Sequence, residues 1–255
     1  MLMPTMKIGG LLIPNKIIYT LALSILYVRR PIMSVIRNRA KDNFPMVLLT
    51  LLSIVQALAF ELLWGEVRNH QEFYAFSWAA AGGWIRIVTT FLGIVLIWHS
   101  YASNAMRFRW VPSTSDSFFP FVIGVVQFIL VGNLGADAVS QWLLMLAILF
   151  LAIPSISQHD MRRAREEVEN EEFFKKRNRA SLKDFIPVII VVVVLCGFSA
   201  LVWLIDNNQW VSGIASLVAL VIVVTQMLIS HDFWVWSMSL DDNIETTAGD
   251  DSSDK

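Results

Sequence analysis

Residues 184–232 read DFIPVIIVVVVLCGFSALVWLIDNNQWVSGIASLVALVIVVTQMLISHD. Two uncharged apolar runs, 186–205 and 210–230, are parted only by Asp206, Asn207, Asn208 and Gln209. A hydrocarbon core about 30 Å thick needs about 20 helical residues, so each run reads as a spanning helix and the polar residues between them as a tight turn. Upstream of that hairpin the same design can be read twice more. The expected fold is an all-α polytopic membrane protein with six transmembrane helices arranged as three hairpins.

Composition agrees with that reading. The chain is 56% hydrophobic with a mean hydropathy of +0.58 and is only 16% charged, against about 25% for a soluble domain. The one cysteine, Cys196, falls within a spanning run. It excludes an intramolecular disulfide and a cysteine-based zinc site. Arg29, Arg30 and Pro31 follow the first apolar stretch where a cleavage site would need small residues, so no cleavable signal peptide is expected.

Three regions follow. Residues 1–44 are a basic segment with an interfacial or re-entrant helix. Within residues 8–28, Pro14, Asn15 and Lys16 leave an unbroken apolar run of 12 residues, which is short for a span. Arg29, Arg30, Arg37, Arg39 and Lys41 would hold the segment that follows against anionic headgroups. A tilted seventh span is the alternative. Residues 45–231 are the membrane domain, with spans at about 45–64, 84–101, 118–132, 138–156, 186–205 and 210–230. In the turn after the third span, Gly135 is expected to supply permissive dihedrals and Asp137 to cap the next helix. Pro154 should kink or end the fourth span. Residues 232–255 are a tail whose last 15 residues hold six acids and one lysine, a composition expected to be disordered.

Charge sets the expected orientation. With a cytoplasmic amino terminus, 18 of the 20 lysines and arginines lie on one side, and only Arg68 and Arg86 on the other. The positive-inside rule then puts both termini in the cytoplasm, most simply of a bacterial-type inner or plasma membrane. Trp64, Trp84, Trp142, Trp203 and Trp210 at outer helix ends, with Trp98, Trp110, Trp234 and Trp236 at inner ends, read as two aromatic belts.

Between the fourth and fifth spans the charges run basic, acidic, basic. Arg162 with Glu166, Arg163 with Glu167, Glu171 with Lys175 and Glu172 with Lys176 are four apart, the spacing at which helix neighbours pair. A charged cytoplasmic helix projecting from the fourth span is expected. Val168, Phe173 and Phe174 are too few apolar residues for a coiled coil or docking stripe.

The hairpins also share wording. Asp42 to Pro45, Asp116 to Pro120 and Asp184 to Pro187 each open an odd-numbered span. Trp84, Trp142 and Trp210 open the even ones, which close near His99, His159 and His231. This fits a pseudo-threefold repeat of the kind found among transporters, and it fits convergent grammar equally, since proline suits a helix start and tryptophan an interface.

Polarity inside the spans is sparse. Gln56 and Gln127 lie near the midplane, while Glu61 and Arg86 lie at similar depth near the outer ends of one hairpin and are expected to pair. Ser53, Gln56, Phe60 and Glu61 are read as one helical face. The four residues Gln56, Glu61, Arg86 and Gln127 form a candidate polar thread, although glutamines also simply bridge helices. His99, His159 and His231 are candidate residues of the cytoplasmic face. With Asp160 and Asp232 they could hold a metal, but isolated interfacial histidines are commoner and no metal is assigned.

The chain has no HExxH, nucleophile elbow or phosphate-binding glycine loop. No enzymatic activity, cofactor or nucleic-acid partner is expected. The expected partners are anionic lipid headgroups at the cytoplasmic face and further copies or subunits in a membrane complex. Two functional classes remain. One is a channel or transporter for an ion or small solute, and the other is a non-transporting membrane scaffold or sensor acting through its cytoplasmic helix and termini.

Overall fold

The computed structural model describes the backbone of residues 5–8, 11–175, 181–206 and 208–250, and the side chains of 35–71, 73–175, 181, 183–206 and 208–237. The chain divides into two units, residues 1–44 and 45–255. In the first, strands β1 (Thr5–Ile8) and β2 (Leu11–Pro14) pair antiparallel with Thr5 opposite Pro14 and Ile8 opposite Leu11. These strands are the departure from an all-α chain. Helix α1 is continuous over Asn15–Asn69; it begins directly after Pro14, whose ring and missing N–H suit a strand edge, and takes in the apolar run 17–28. The side chains of residues 1–34 lie outside the described set, and with them the interfacial, re-entrant and seventh-span readings.

In the second unit, α1 continues and is followed by α2 (Trp78–Arg107), α3 (Thr114–Gly132), α4 (Val139–Ala164), the short α5 (Glu171–Lys175), α6 (Ile186–Leu204) and α7 (Gln209–Asp250). Six helices among the described residues are long and apolar enough to cross a membrane. The protein is an integral membrane protein of helical type.

Helix boundaries depart from the sequence reading in physically clear ways. Loop 65–83 shrinks because Ser77 caps α2 with its hydroxyl accepting from Ala80 N at 3.2 Å, and the alanines after it favour helix. Helix α4 runs through Pro154 to Ala164; the proline removes one backbone bond without ending the helix. Gly135 sits at a close approach and not in a left-handed conformation, since a Cβ there would lie 2.7 Å from Asp137 Oδ1 and 3.4 Å from His70 Cε1, so the aspartate side chain would have to shift to admit one. The cap position of α4 falls on Ala138, with no side-chain bond. The turn before α7 is as tight as expected, with Asp206 in the left-handed region at φ 50°, a conformation aspartate tolerates, and Asn208 Oδ1 accepting from Trp210 N at 3.0 Å. The backbone of α7 is helical to Asp250, so the acidic stretch extends a helix already nucleated by the span, where each added residue gains a bond.

The most extensive helix packing joins different expected hairpins, while α3 with α4 and α6 with α7 also pack. Helix α2 packs most extensively on α7, and α4 on α6. Small residues permit the approach. A Cβ on Gly82 would lie 3.8 Å from the Gly213 Cα, and one on Gly213 would lie 3.0 Å from Trp78 Nε1. On the other pair, Ser199 Oγ donates to the Ser140 carbonyl at 2.8 Å and Ser140 Oγ to the Ser199 carbonyl at 3.0 Å. Such hydroxyls and small side chains are how helices associate where no hydrophobic drive acts. Trp142 belongs to this interior and not to an aromatic belt: it is wholly buried, with Nε1 donating to Thr90 Oγ1 at 3.0 Å. Trp110 is likewise buried.

The recurring Asp-to-Pro stretches do different jobs. Asp116 and Asp184 sit third in the capping boxes opened by Ser113 and Ser181, accepting from the serine backbone N–H at 2.8 and 2.7 Å. Asp42 and Pro45 instead lie inside α1. Two of the three stretches therefore share a capping rule, which needs no duplication to explain it.

Candidate functional site

The two midplane glutamines meet. Gln127 Nε2 donates to Gln56 Oε1 at 3.1 Å, with the residues 0% and 4% exposed. Helices α1 and α3 come together there because Gly124 offers no side chain to Val55; a Cβ would meet Val55 Cγ1 at 2.5 Å. Gln56 Nε2 and Gln127 Oε1 have no partner among the described residues. This is a buried helix bridge with one bond made.

The other half of the polar thread does not assemble. Arg86 is 2% exposed and donates from Nε to the Leu134 carbonyl at 3.0 Å. Glu61 is exposed on α1, and no described ion pair joins it to Arg86. Equal depth had suggested a pair, but depth fixes height along a helix and not direction around it. At about 100° per residue, Glu61 points about 140° away from Gln56, so the four residues read as one face are not one.

The richer arrangement is at the end of the unit where α2 and α4 finish and α3 and α6 begin, here called the basic end. Asp116, 3% exposed, sits at its centre. Its carboxylate accepts from Arg163 Nη1 at 2.6 Å, Ser113 N at 2.8 Å, Ser113 Oγ at 2.9 Å and Trp110 Nε1 at 3.2 Å. Arg163 also donates to Ser113 Oγ and to the Val111 carbonyl. The α2–α3 link is thereby tied to the last turn of α4. Sequence spacing pairs Arg163 with Glu167, four residues on; the structure instead turns Arg163 to the buried carboxylate of Asp116 across the α2–α3 link.

The charged segment does not project as one helix. Residues 165–167 turn, residues 168–170 form a single 3₁₀ turn, and α5 is only five residues long. Asn170 holds the turn, with Nδ2 donating to the carbonyls of Arg109 at 2.6 Å and Ala164 at 2.7 Å and Oδ1 accepting from Arg109 N at 3.2 Å. Phe174 is buried and stacks on Phe108 at 5.4 Å, while Phe173 meets Phe108 edge-on at 5.0 Å and the Arg165 guanidinium covers Phe174 at 4.4 Å. Two phenylalanines suffice because they land on an aromatic already placed at the end of α2. Of the four expected pairs, Glu171 with Lys175 forms at 3.2 Å; Lys176 lies outside the described residues.

Beside this knot lies a cavity of about 190 Å³ between α2, α4, α6 and α7. Leu96, Ile97, Leu149 and Phe150 form its apolar depth, and Asn104, Arg107, Ser157 and Ser230 are among its polar lining. Asn104 Nδ2 donates to Ser157 Oγ at 3.1 Å. The Arg107 guanidinium carbon stands 4.8 Å from the Phe233 ring centre, 5.2 Å from Trp234 and 5.7 Å from Phe108. Those faces hold the cation in place.

The histidines occupy different surroundings. His99 meets Trp234 edge-on at 6.0 Å, His159 Nε2 stands 3.8 Å from Asp116 Oδ1 with its ring against Phe119, and His231 is exposed. Among the described residues no three His, Cys, Asp or Glu side chains converge as a metal would require. Sequence reasoning misses Arg107, which it takes as orienting charge, and Asn170, and it pairs Arg163 with the wrong carboxylate. The Ser113-to-Asp116 capping spacing was the available signal for the knot. Comparison with protein-family models, curated proteins and solved structures found no match.

Proposed function

We propose that this integral membrane protein is a non-conducting scaffold or sensor that acts through the surface folded at its basic end. The observation that carries this reading is the Gln56–Gln127 bridge. Among the described residues, the two glutamines at that depth bond to each other in a buried helix contact, where a hydrated path would need them to face water. The polarity and the ordered aromatics concentrate at the basic end, as a surface for partners or ligands requires. The alternative is a carrier or channel. The cavity between α2, α4, α6 and α7 favours a carrier, because a binding site between spanning helices is what an alternating-access cycle requires.

Flux separates the two. Liposomes holding the wild-type protein should be no more permeable to potassium, sodium or protons than empty ones. A gradient-dependent flux abolished by Gln56→Leu with Gln127→Leu would overturn the scaffold reading. In the scaffold, each single leucine substitution costs about 0.6 kcal/mol for the lost bond plus the penalty of an orphaned amide. The double substitution should therefore be no worse than either single one in thermal unfolding.

We further propose that the basic end faces the cytoplasm, on the 18-to-2 division of basic residues. Exposed Phe76 and Val168 mark opposite ends. In a Cys196→Ser background, Phe76→Cys should react with an impermeant thiol reagent added outside intact cells, and Val168→Cys only after lysis. The reverse pattern would invert the protein.

A further inference from the structure

We propose that Asp160 is the proton-holding member of a buried pair of carboxylates with Asp116 at the basic end, and that release of its proton sets the two acids in competition for Arg163. Asp116 and Asp160 are 3% and 6% exposed. The carboxylate of Asp116 is served by Arg163, Trp110 and both donors of Ser113. Asp160 receives no hydrogen bond from the described residues. A buried carboxylate without a donor is costly as an anion, and a second negative charge nearby adds to the cost, so its stable form keeps a proton. Asp160 lies past the apolar run of the fourth span, which ends near residue 156. Burial first, and the charge of Asp116 after it, raise its pKa from the ordinary 3.8 to about 7, against the opposing pull of Arg163.

Tyr101 of α2 points to the same place independently. It is also 6% exposed, and its hydroxyl has no hydrogen-bond partner among the described residues. The charges that bear on it are those of Asp160 and Asp116. A phenol can donate to a carboxylate but cannot neutralise it. The neighbour best able to imitate a proton site is His159, whose Nε2 stands 3.8 Å from Asp116 Oδ1. Arg162 on α4, Arg109 in the α2–α3 link and His231 and Asp232 on α7 are exposed. Arg107 on α2 stands over the Phe233 and Trp234 rings, and α6 carries no titratable residue except Cys196.

With the proton bound, Arg163 is left to Asp116 at 2.6 Å and the knot is closed. Once the proton passes to water, Asp160 becomes an anion three residues before Arg163 on α4, a spacing at which helix neighbours pair. Whatever Asp160 draws from the arginine, the α2–α3 link loses of its hold on α4. The folded chain binds this proton more tightly than the unfolded one, so stability falls as pH rises from 3.8 towards about 7 and is level above. The site therefore reads the acidity of the compartment that the basic end faces, and does so whether or not the protein conducts.

The test is infrared difference spectroscopy of the full chain in a neutral detergent, titrated from about pH 4 to about pH 9, with thermal unfolding at each step. Wild type should show the carbonyl stretch of a protonated carboxyl that persists above the ordinary carboxylate range and is lost with a midpoint near 7. Asp160→Asn, an amide of the same size that needs no proton, should lack that band, unfold at a temperature level with pH over this range, and be more stable than wild type at the alkaline end. Asp116→Asn should lower the midpoint, because it removes the like charge and frees Arg163, and Arg163→Gln should raise it. His159→Gln should keep the band. A band that survives in Asp160→Asn, its absence from wild type above about pH 6, an unmoved midpoint in Asp116→Asn, or a pH dependence of stability removed by His159→Gln and kept in Asp160→Asn would each overturn the proposal. Wild type and Asp160→Asn decide alone should the variants of the ion pair fail to fold.

Discussion

Asp116→Ala should lower the stability of the solubilised protein by about 3–5 kcal/mol, the cost of stripping one partner from a buried ion pair. The carboxylate is the common acceptor for Arg163 Nη1, the Trp110 indole and both the backbone and hydroxyl of Ser113. Its removal strands all of them, at a side chain only 2% exposed. Arg163 is 24% exposed, so water can recover part of its solvation, which places the loss nearer the lower bound. Asp116→Asn keeps the volume and one acceptor oxygen and should lose less. Combining Asp116→Asn with Arg163→Gln should be milder than the sum of the two, because residues in one network are not additive. Thermal unfolding in detergent reads all four proteins. A wild-type transition in Asp116→Ala would show that the knot does not hold the α2–α3 link to α4.

The same residues show how far sequence reasoning reaches in a membrane protein. Spans were legible because 20 apolar residues in a row have one economical solution, and residues 186–205 and 210–230 fall close to α6 and to the start of α7. Direction around a helix was not legible. Gln56 and Gln127 stand at matching depth and do meet, whereas Glu61 and Arg86 also match in depth and do not. In lipid both faces of a helix are apolar, so the amphipathic periodicity that orients helices in water carries little information. Trp142 illustrates the point, since a tryptophan near a helix end looks the same whether it faces headgroups or, as here, Thr90.

The basic end was opaque for a different reason. Its arginines served the topological count, and a count by side ignores which charge meets which carboxylate. Arg163 was assigned by spacing to Glu167, four residues on, yet its partner is 47 residues earlier. Asn170, which ties the segment back through two carbonyls and one N–H, carries no periodic signal at all. Local spacing rules hold where solvent is the only competitor, as at Glu171 and Lys175. They fail where a buried group has an unmet demand.

Gly124→Ala carries the second large effect, because its cost is steric and lies at the contact that brings the glutamines together. The new Cβ would stand 2.5 Å from Val55 Cγ1, a distance that real side chains do not adopt, so either Val55 leaves its position or α3 moves away from α1. Overpacking of this kind costs about 1–3 kcal/mol. Val55 is 5% exposed and has no free space to turn into, which argues for helix displacement and for loss of the Gln56–Gln127 bond as well. Val55→Ala in the same chain removes the atom that is struck. The pair should therefore be more stable than the sum of the single losses predicts, the signature of residues in contact. Gly197→Ala is the matched control: it lies in α6 with nothing within 4 Å of the added Cβ, and should be neutral or stabilising by up to about 1 kcal/mol through helix propensity alone. Thermal unfolding of the four variants in one detergent decides it. Equal behaviour of Gly124→Ala and Gly197→Ala would mean that α1 and α3 are not in close contact at this level, and the closed midplane would lose its structural basis.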